Sequence, residues 1–333
     1  MPRDVKVALI GAGSAAQVVH LPILKRLPDL EIAAIIDPQE RKAATIAERF
    51  DIPSVHSEIG ALAEHPEIDA VVVCTPNDDH ETPVTTALEL GKHVLCERPL
   101  STSSESAARM VAAARAAERQ LMVAMNERYR YDHRAIRQFV NSGELGEVVL
   151  VRNTWLVRPS RRAGRGWRRD STRAGVGVVM DLGAPALDLA WWVLGFPAIE
   201  RVSATTHRRD GVEETAVMTV SVAGGLSINI EVSWELSEAR DQHSLYLLGT
   251  SGSARTAPFR VMAEMETGLK DVTPPLAVDA ARLYTESYRQ EWAEFLRYVR
   301  GEKDLTIQDD QITLMQAIEA CYRSVEEGRE VPI

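Results

Sequence analysis

Short apolar runs alternate with amphipathic stretches through the first third of the chain. The runs lie at residues 5–10, 32–36, 70–74, 93–96 and 121–124. Between them, 41–50, 82–90 and 105–119 space their apolar residues three and four apart. Strands that are apolar on both faces and alternate with helices predict a parallel sheet covered on both sides. After about residue 145 the pattern changes. Apolar and polar positions alternate over 147–155, 216–222, 226–234 and 244–248. Ala223-Gly224-Gly225 separates two of these runs as a hairpin turn does. A mostly antiparallel sheet is expected there, with one face exposed or covered by a partner. Helical spacing recurs at 132–142, 184–194, 285–300 and 309–327. The fold class expected is α/β, with one domain over 1–125 and a second over 126–333 built on an open, mostly antiparallel sheet.

Composition narrows the classes of partner. The chain has 333 residues, enough for two domains, and a net charge of -10. An acidic chain is a poor general binder of nucleic acid or anionic membrane. Cys74, Cys96 and Cys321 are too few and too scattered for a disulfide framework or a zinc site, so no metal is expected. The start has no apolar signal core and no stretch is long enough to span a bilayer, so a reducing cytoplasm is the expected home.

The first run leads into chemistry. Val5–Ile10 is followed by Gly11-Ala12-Gly13-Ser14-Ala15-Ala16, a strand, a tight turn and a helix start. Gly11 permits the turn, and Gly13 lets the backbone approach a pyrophosphate. Ser14 and Ala15 open the helix whose N–H groups face that anion, and Ala16 allows close helix–strand packing. The second run ends in Asp37, the expected acceptor for adenosine ribose hydroxyls. Strand, turn, helix and acid in that order predict an N-terminal Rossmann domain. The carboxylate would repel a 2′-phosphate, so NAD is expected ahead of NADP, with Arg41 one turn on as the reservation.

Further motifs give the sequence a family likeness. Cys74-Thr75-Pro76-Asn77-Asp78-Asp79-His80, Gly91-Lys92-His93-Val94-Leu95-Cys96-Glu97-Arg98-Pro99-Leu100, Asn126-Glu127-Arg128-Tyr129 and Ser142-Gly143-Glu144-Leu145-Gly146-Glu147-Val148 resemble motifs of the glucose–fructose oxidoreductase / inositol dehydrogenase family (Gfo/Idh/MocA). The closing stretch from Ile318 to Ser324 resembles that family's last helix. The resemblance covers nearly the full length. It implies NAD(P) bound with Thr75, Asn77 and His80 near the pyrophosphate and ribose. Glu97 and Arg98 would lie by the nicotinamide ribose, with Asn126 also on the cofactor. It implies hydride transfer between a sugar or cyclitol carbon and the nicotinamide, and an open sheet used for oligomer contacts, as a dimer or tetramer.

Two positions depart from the pattern. The family's lysine is Arg98 here, a permanent cation that cannot accept a proton near neutrality but can hold an oxygen or carboxylate bidentately. The family's D-x-G-x-H-x-x-D reads Asp181-Leu182-Gly183-Ala184-Pro185-Ala186-Leu187-Asp188, with Pro185 in place of the histidine. Asp181 is then the base candidate, its alternative being a helix N-cap. Arg98 and Asp181 are the expected catalytic pair, and Tyr129, Asp181, Pro185 and Asp188 fall in the expected substrate region.

Between the strands of the second domain lies a cationic segment, from Arg158 through Arg161, Arg162, Arg165, Trp167, Arg168 and Arg169 to Arg173. It points to an anionic substrate such as a sugar acid or sugar phosphate. The competing expectation for most of these arginines is a solvated loop or an oligomer contact, with Trp167 and Arg168 kept as pocket candidates. His20 and His93, inside family-like segments, read as structural. Three functions compete: an NAD(P)-dependent sugar or cyclitol dehydrogenase with an atypical site, a non-catalytic dinucleotide sensor or partner subunit, and a lyase or glycosidase using NAD transiently.

Overall fold

Six strands pair in parallel to form the first sheet: β1 (Val5–Ile10), β2 (Leu30–Ile36), β3 (Ser54–His56), β4 (Ala70–Val73), β5 (His93–Cys96) and β6 (Leu121–Val123). Their order is β3-β2-β1-β4-β5-β6. The order reverses between β1 and β4, where Ile10 lies opposite both Ile36 and Val73. Every residue of β4 is buried, and β1 is buried but for Lys6, as strands covered on both faces require. Reversal of strand order opens a crevice at the strands' carboxyl ends, the place where such sheets bind dinucleotides. This computed structural model describes residues 4–159, 177–209, 211–306 and 308–333.

The chain forms two compact units, and the first is not contiguous in sequence. It combines Met1–Ser101 and Glu105–Asn126 with Thr285–Gln311. The returning segment finishes what the sheet leaves open. Trp292 and Phe295 of the Leu283–Val299 helix are fully buried in it. Gln120, just before β6, exchanges two hydrogen bonds with the Thr306 backbone, at 3.0 and 2.9 Å. Gln308 Oε1 accepts the Val123 N–H at 2.9 Å, so a donor on the edge strand is satisfied.

The second unit comprises Thr102–Ser104, Glu127–Tyr284 and Ile312–Ile333. Its sheet has nine strands: β7 (Val148–Leu156), β8 (Ile199–Arg209), β9 (Val212–Val222), β10 (Leu226–Ser233), β11 (Gln242–Gly249), β12 (Gly252–Thr256), β13 (Phe259–Met265), β14 (Gly268–Asp271) and β15 (Val331–Pro332). The order is β14-β13-β12-β11-β7-β10-β9-β8-β15, antiparallel except where β7 meets β10. Gly224 and Gly225, both at positive φ, make the turn between β9 and β10. One face carries the Ala184–Val193 helix, whose ten residues are all buried. The opposite face exposes Leu150, Val217 and Leu248 at 38%, 47% and 39%. Cys74, Cys96 and Cys321 are buried free thiols.

Candidate active site

In the first unit, the expected cofactor residues line the carboxyl ends of one sheet. Gly11 has φ 91°, and a Cβ there would lie 2.8 Å from the Cys74 carbonyl carbon and oxygen. Only glycine fits so close a pass of β1 to the segment after β4. At Gly13 the nearest atom to such a Cβ is 3.6 Å away, so this position is open rather than crowded. Ser14 is exposed and Ala16 fully buried against the sheet. Asp37, 6% exposed, accepts the Ala12 N–H at 2.7 Å and the Gln39 N–H at 2.9 Å. It thus ties the end of β2 to the glycine turn. The cation beside it is Lys42, at 3.5 Å, rather than Arg41. A cradle that a Cβ would fill, opening a helix and flanked by a buried carboxylate, fits a dinucleotide.

Two loops complete this end. The His80 ring lies 3.0 and 3.2 Å from the Pro99 and Leu100 carbonyls through Nδ1, and 3.1 Å from that of Thr75 through Nε2. It staples the segment after β4 to the turn after β5, and burial lowers its pKa. Thr75 turns back to donate to the Asp79 carbonyl at 2.8 Å. Asn77 is nearly buried, and buried Asn126 donates to the Ser287 hydroxyl at 3.0 Å. Glu97 meets His20 Nε2 at 2.8 Å and accepts the Arg98 N–H at 3.2 Å. Burial alone would raise its carboxyl, but the His20 hydrogen bond and the charge of Arg98 win and hold it below the ordinary glutamate range. Arg98 is half-buried.

In the second unit, Asp181 lies in a π-helical turn, Val179–Gly183, directly before the Ala184–Val193 helix. Pro185 accounts for that turn. An α-helix would need its N–H to reach the Asp181 carbonyl, and proline has none, while its ring presses on that oxygen. The chain instead closes a wider turn, with Ala184 N–H on the Val179 carbonyl. The turn Ala16–His20 precedes Pro22 in the same way. Asp181 therefore lies inside a helical turn, and the N-cap position of the Ala184–Val193 helix is taken by Gly183. Asp181 Oδ2 accepts the Trp234 indole N–H at 3.1 Å, and Asp181 is partly exposed.

Glu213 anchors the start of this turn. Fully buried, it accepts the Gly177 and Val179 N–H groups at 2.8 and 3.3 Å and the Tyr322 hydroxyl at 2.9 Å. Burial and then the Glu213 charge push the Tyr322 phenol above its ordinary range. Asp188 forms a buried bidentate pair with Arg128, at 2.8 and 2.5 Å, and Arg128 lies over the Phe196 ring. Pro185 is buried and Tyr129 half-buried. Arg158, first of the cationic segment, binds Asp241 at 3.0 Å and the Ala239 carbonyl at 3.1 Å, pinning a loop. Trp167 and Arg168 lie outside the described residues. Among the described residues, no group of three or more His, Cys, Asp and Glu could hold a metal ion. No described helix is long and apolar enough to cross a membrane.

A family described as "Oxidoreductase family, NAD-binding Rossmann fold" matches residues 5–125, and the GFO/IDH/MocA C-terminal domain matches residues 133–255. The chain belongs to the Gfo/Idh/MocA family. D-glucoside 3-dehydrogenase of Escherichia coli is 28% identical, over 98% of this chain and 97% of its own. D-xylose 1-dehydrogenase (NADP(+)) 2 of Haloferax volcanii is 32% identical, over 91% and 92%. The structure of GenD2 from gentamicin A biosynthesis, in complex with NAD, has a TM-score of 0.85 at 25% identity, covering 100% of this chain and 97% of that one. Levoglucosan dehydrogenase in complex with NADH shares the fold, with a TM-score of 0.88 at 20% identity and 99% coverage of both chains. The family is one of NAD-binding sugar and cyclitol oxidoreductases, and this chain is an oxidoreductase with its NAD-binding domain.

Set in the Gfo/Idh/MocA pattern, Pro185 does more than remove a histidine, because it shapes the backbone that carries Asp181. The partners of the motif residues escaped the sequence reading. Trp234 lies 53 positions from Asp181, and Trp292, which donates to His20 Nδ1 at 3.0 Å, lies 272 positions from it. Each tryptophan sits on its own in sequence and reads as core. Only the fold pairs it with a polar atom.

Proposed function

We propose that this protein is an NAD-dependent dehydrogenase acting on a hydroxyl of a sugar, cyclitol or sugar acid. Residues 1–125 hold the cofactor and contribute Arg98 to the substrate, and the chain after residue 126 supplies the remaining substrate contacts. Gly11, Gly13, Ser14, Ala15 and Ala16 would receive the pyrophosphate and Asp37 the adenosine ribose. Thr75, Asn77, His80, Glu97 and Asn126 would complete the cofactor site. Bound NAD supplies the hydride acceptor. The protein's own part is to orient the substrate and to take the hydroxyl proton.

Asp181 is the proton acceptor in this reading. The observation that carries it is a partly exposed carboxylate, set by a π-helical turn and oriented by the Trp234 indole, in the segment where the family pattern has its histidine. Arg98 orients the reacting oxygen as a permanent donor, and its planar fork favours a substrate bearing a carboxylate. Tyr129, Trp167 and Arg168 are further substrate contacts. Asp188 acts through Arg128, its buried partner, and Pro185 through the turn it imposes. D-glucoside 3-dehydrogenase and D-xylose 1-dehydrogenase among the relatives support a sugar hydroxyl as the target. The sheet face that exposes Leu150, Val217 and Leu248 is where a homo-oligomer would form. NADH formation across a panel of sugars, cyclitols and sugar acids tests the reading. Turnover with one of them, fastest with an acid, is expected; NAD binding with no turnover on any of them contradicts it.

A further inference from the structure

Within the first unit, a chain of hydrogen bonds runs from a buried indole to the carboxylate that follows β5. Trp292 Nε1 lies 3.0 Å from His20 Nδ1, and His20 Nε2 lies 2.8 Å from Glu97 Oε1. Trp292 and His20 are fully buried, while the Glu97 side chain keeps 17% of its surface. An indole nitrogen can only donate. His20 must therefore accept at Nδ1, carry its single proton on Nε2, and donate that proton to Glu97. Glu97 then accepts at both oxygens, Oε1 from His20 and Oε2 from the Arg98 N–H, an arrangement that favours its ionised form. A second proton on His20 would break the Trp292 bond and place a charge in a fully buried site, so His20 is kept as a neutral donor to Glu97.

The place of Glu97 in the sheet gives this anion a use. The glycine turn after β1 and Asp37 after β2 mark the pyrophosphate and adenosine positions. The other half of a dinucleotide then lies over β4 and β5, beyond the reversal of strand order, where Glu97 directly follows β5. Oxidised nicotinamide is a cation and reduced nicotinamide is neutral. We propose that Trp292 and His20 are positioning residues that hold Glu97 as a fixed anion, so that this site favours NAD+ over NADH. The proposal rests on the cofactor reading above, and it makes Glu97 an electrostatic partner of the ring rather than a base. The other groups facing this chain are Arg98 beside Glu97, Cys74, Cys96 and His80 around its carboxylate, and Tyr288, with its ring 6.3 Å from that of His20.

The test is calorimetric binding of NAD+ and of NADH to the full chain, from about pH 8 down to about pH 5.5, either side of the free-histidine pKa. The wild type should show a ratio of the two dissociation constants that stays constant over this range. Trp292→Phe frees His20 Nδ1 to take a proton, so its NAD+ affinity should fall about tenfold on acidification while NADH binding holds. His20→Leu should lose the preference for NAD+. His20→Gln, whose amide can accept from Trp292 and donate to Glu97, should keep it. This pair repeats the test should Trp292→Phe fail to fold. Wild-type ratios at both pH extremes in Trp292→Phe and His20→Leu alike overturn the proposal. A wild type that binds neither cofactor overturns the function beneath it instead.

Discussion

The Trp234 indole donates to one oxygen of Asp181 and so aims the carboxylate. Trp234→Phe keeps the ring and removes the donor. We expect kcat to fall about tenfold, the worth of one hydrogen bond to a charge, with NAD affinity unchanged. Equal kcat in the variant would mean that Asp181 needs no such partner. Asp37 carries a different contrast, because Lys42 stays at its side when the carboxylate goes. Asp37→Ser should weaken NAD by about tenfold and raise the relative affinity for NADP, since a 2′-phosphate would then meet a cation and no anion. Titration of both cofactors measures this, and an unchanged preference would remove Asp37 from the ribose site.

The two π-helical turns, Ala16–His20 and Val179–Gly183, show what a proline one or two residues into the next helix does to the turn before it. Pro185→Ala restores an N–H that can bond the Asp181 carbonyl and close an α-turn. Its melting temperature should stay level or rise while kcat falls, a split that a mere packing defect would not give. At the head of the same turn, a Cβ on Gly177 would overlap the Glu213 carbonyl oxygen. Gly177→Ala should cost about 1–3 kcal/mol in chemical denaturation. Much of this architecture is legible in the sequence. The apolar runs locate five of the six parallel strands, all but β3, and spacing finds the helix over Asp309–Glu327 to the residue. The glycine turn and Asp37 follow from their order along the chain. What sequence hides is of two kinds. Short strands such as β3 and β14, of three and four residues, have too few residues to show a period. The partners of the site residues come from far along the chain, as Trp292 and Trp234 do, and a buried tryptophan looks the same in sequence whether or not its N–H is used.

For the whole chain, buried histidines set the response to acid. Burial first, then the Arg130 charge, pushes His133 down to about 4. Between about 6.5 and that value the unfolded chain binds a proton that the folded chain does not, so stability is lost as pH falls through this window, by about 1 kcal/mol per pH unit. Glu97 acts in the same direction, since a carboxyl held below its ordinary value stabilises above that value and loses the gain on protonation. Melting temperature should therefore begin to drop near pH 6.5, before most carboxylates titrate, and His133→Gln should flatten the early part of the fall. The open sheet face predicts association. Leu150→Glu with Leu248→Glu, which stand opposite each other on β7 and β11, should shift the protein to a monomer by light scattering, and an unshifted mass would place the contact elsewhere. Catalysis by Asp181 is decided by comparing Asp181→Asn with the wild type for NADH formation on the best substrate of the panel, alongside NAD binding. A loss of about 10²-fold or more in kcat, with NAD affinity intact, is predicted; a variant that turns over at the wild-type rate would contradict the role given to this carboxylate.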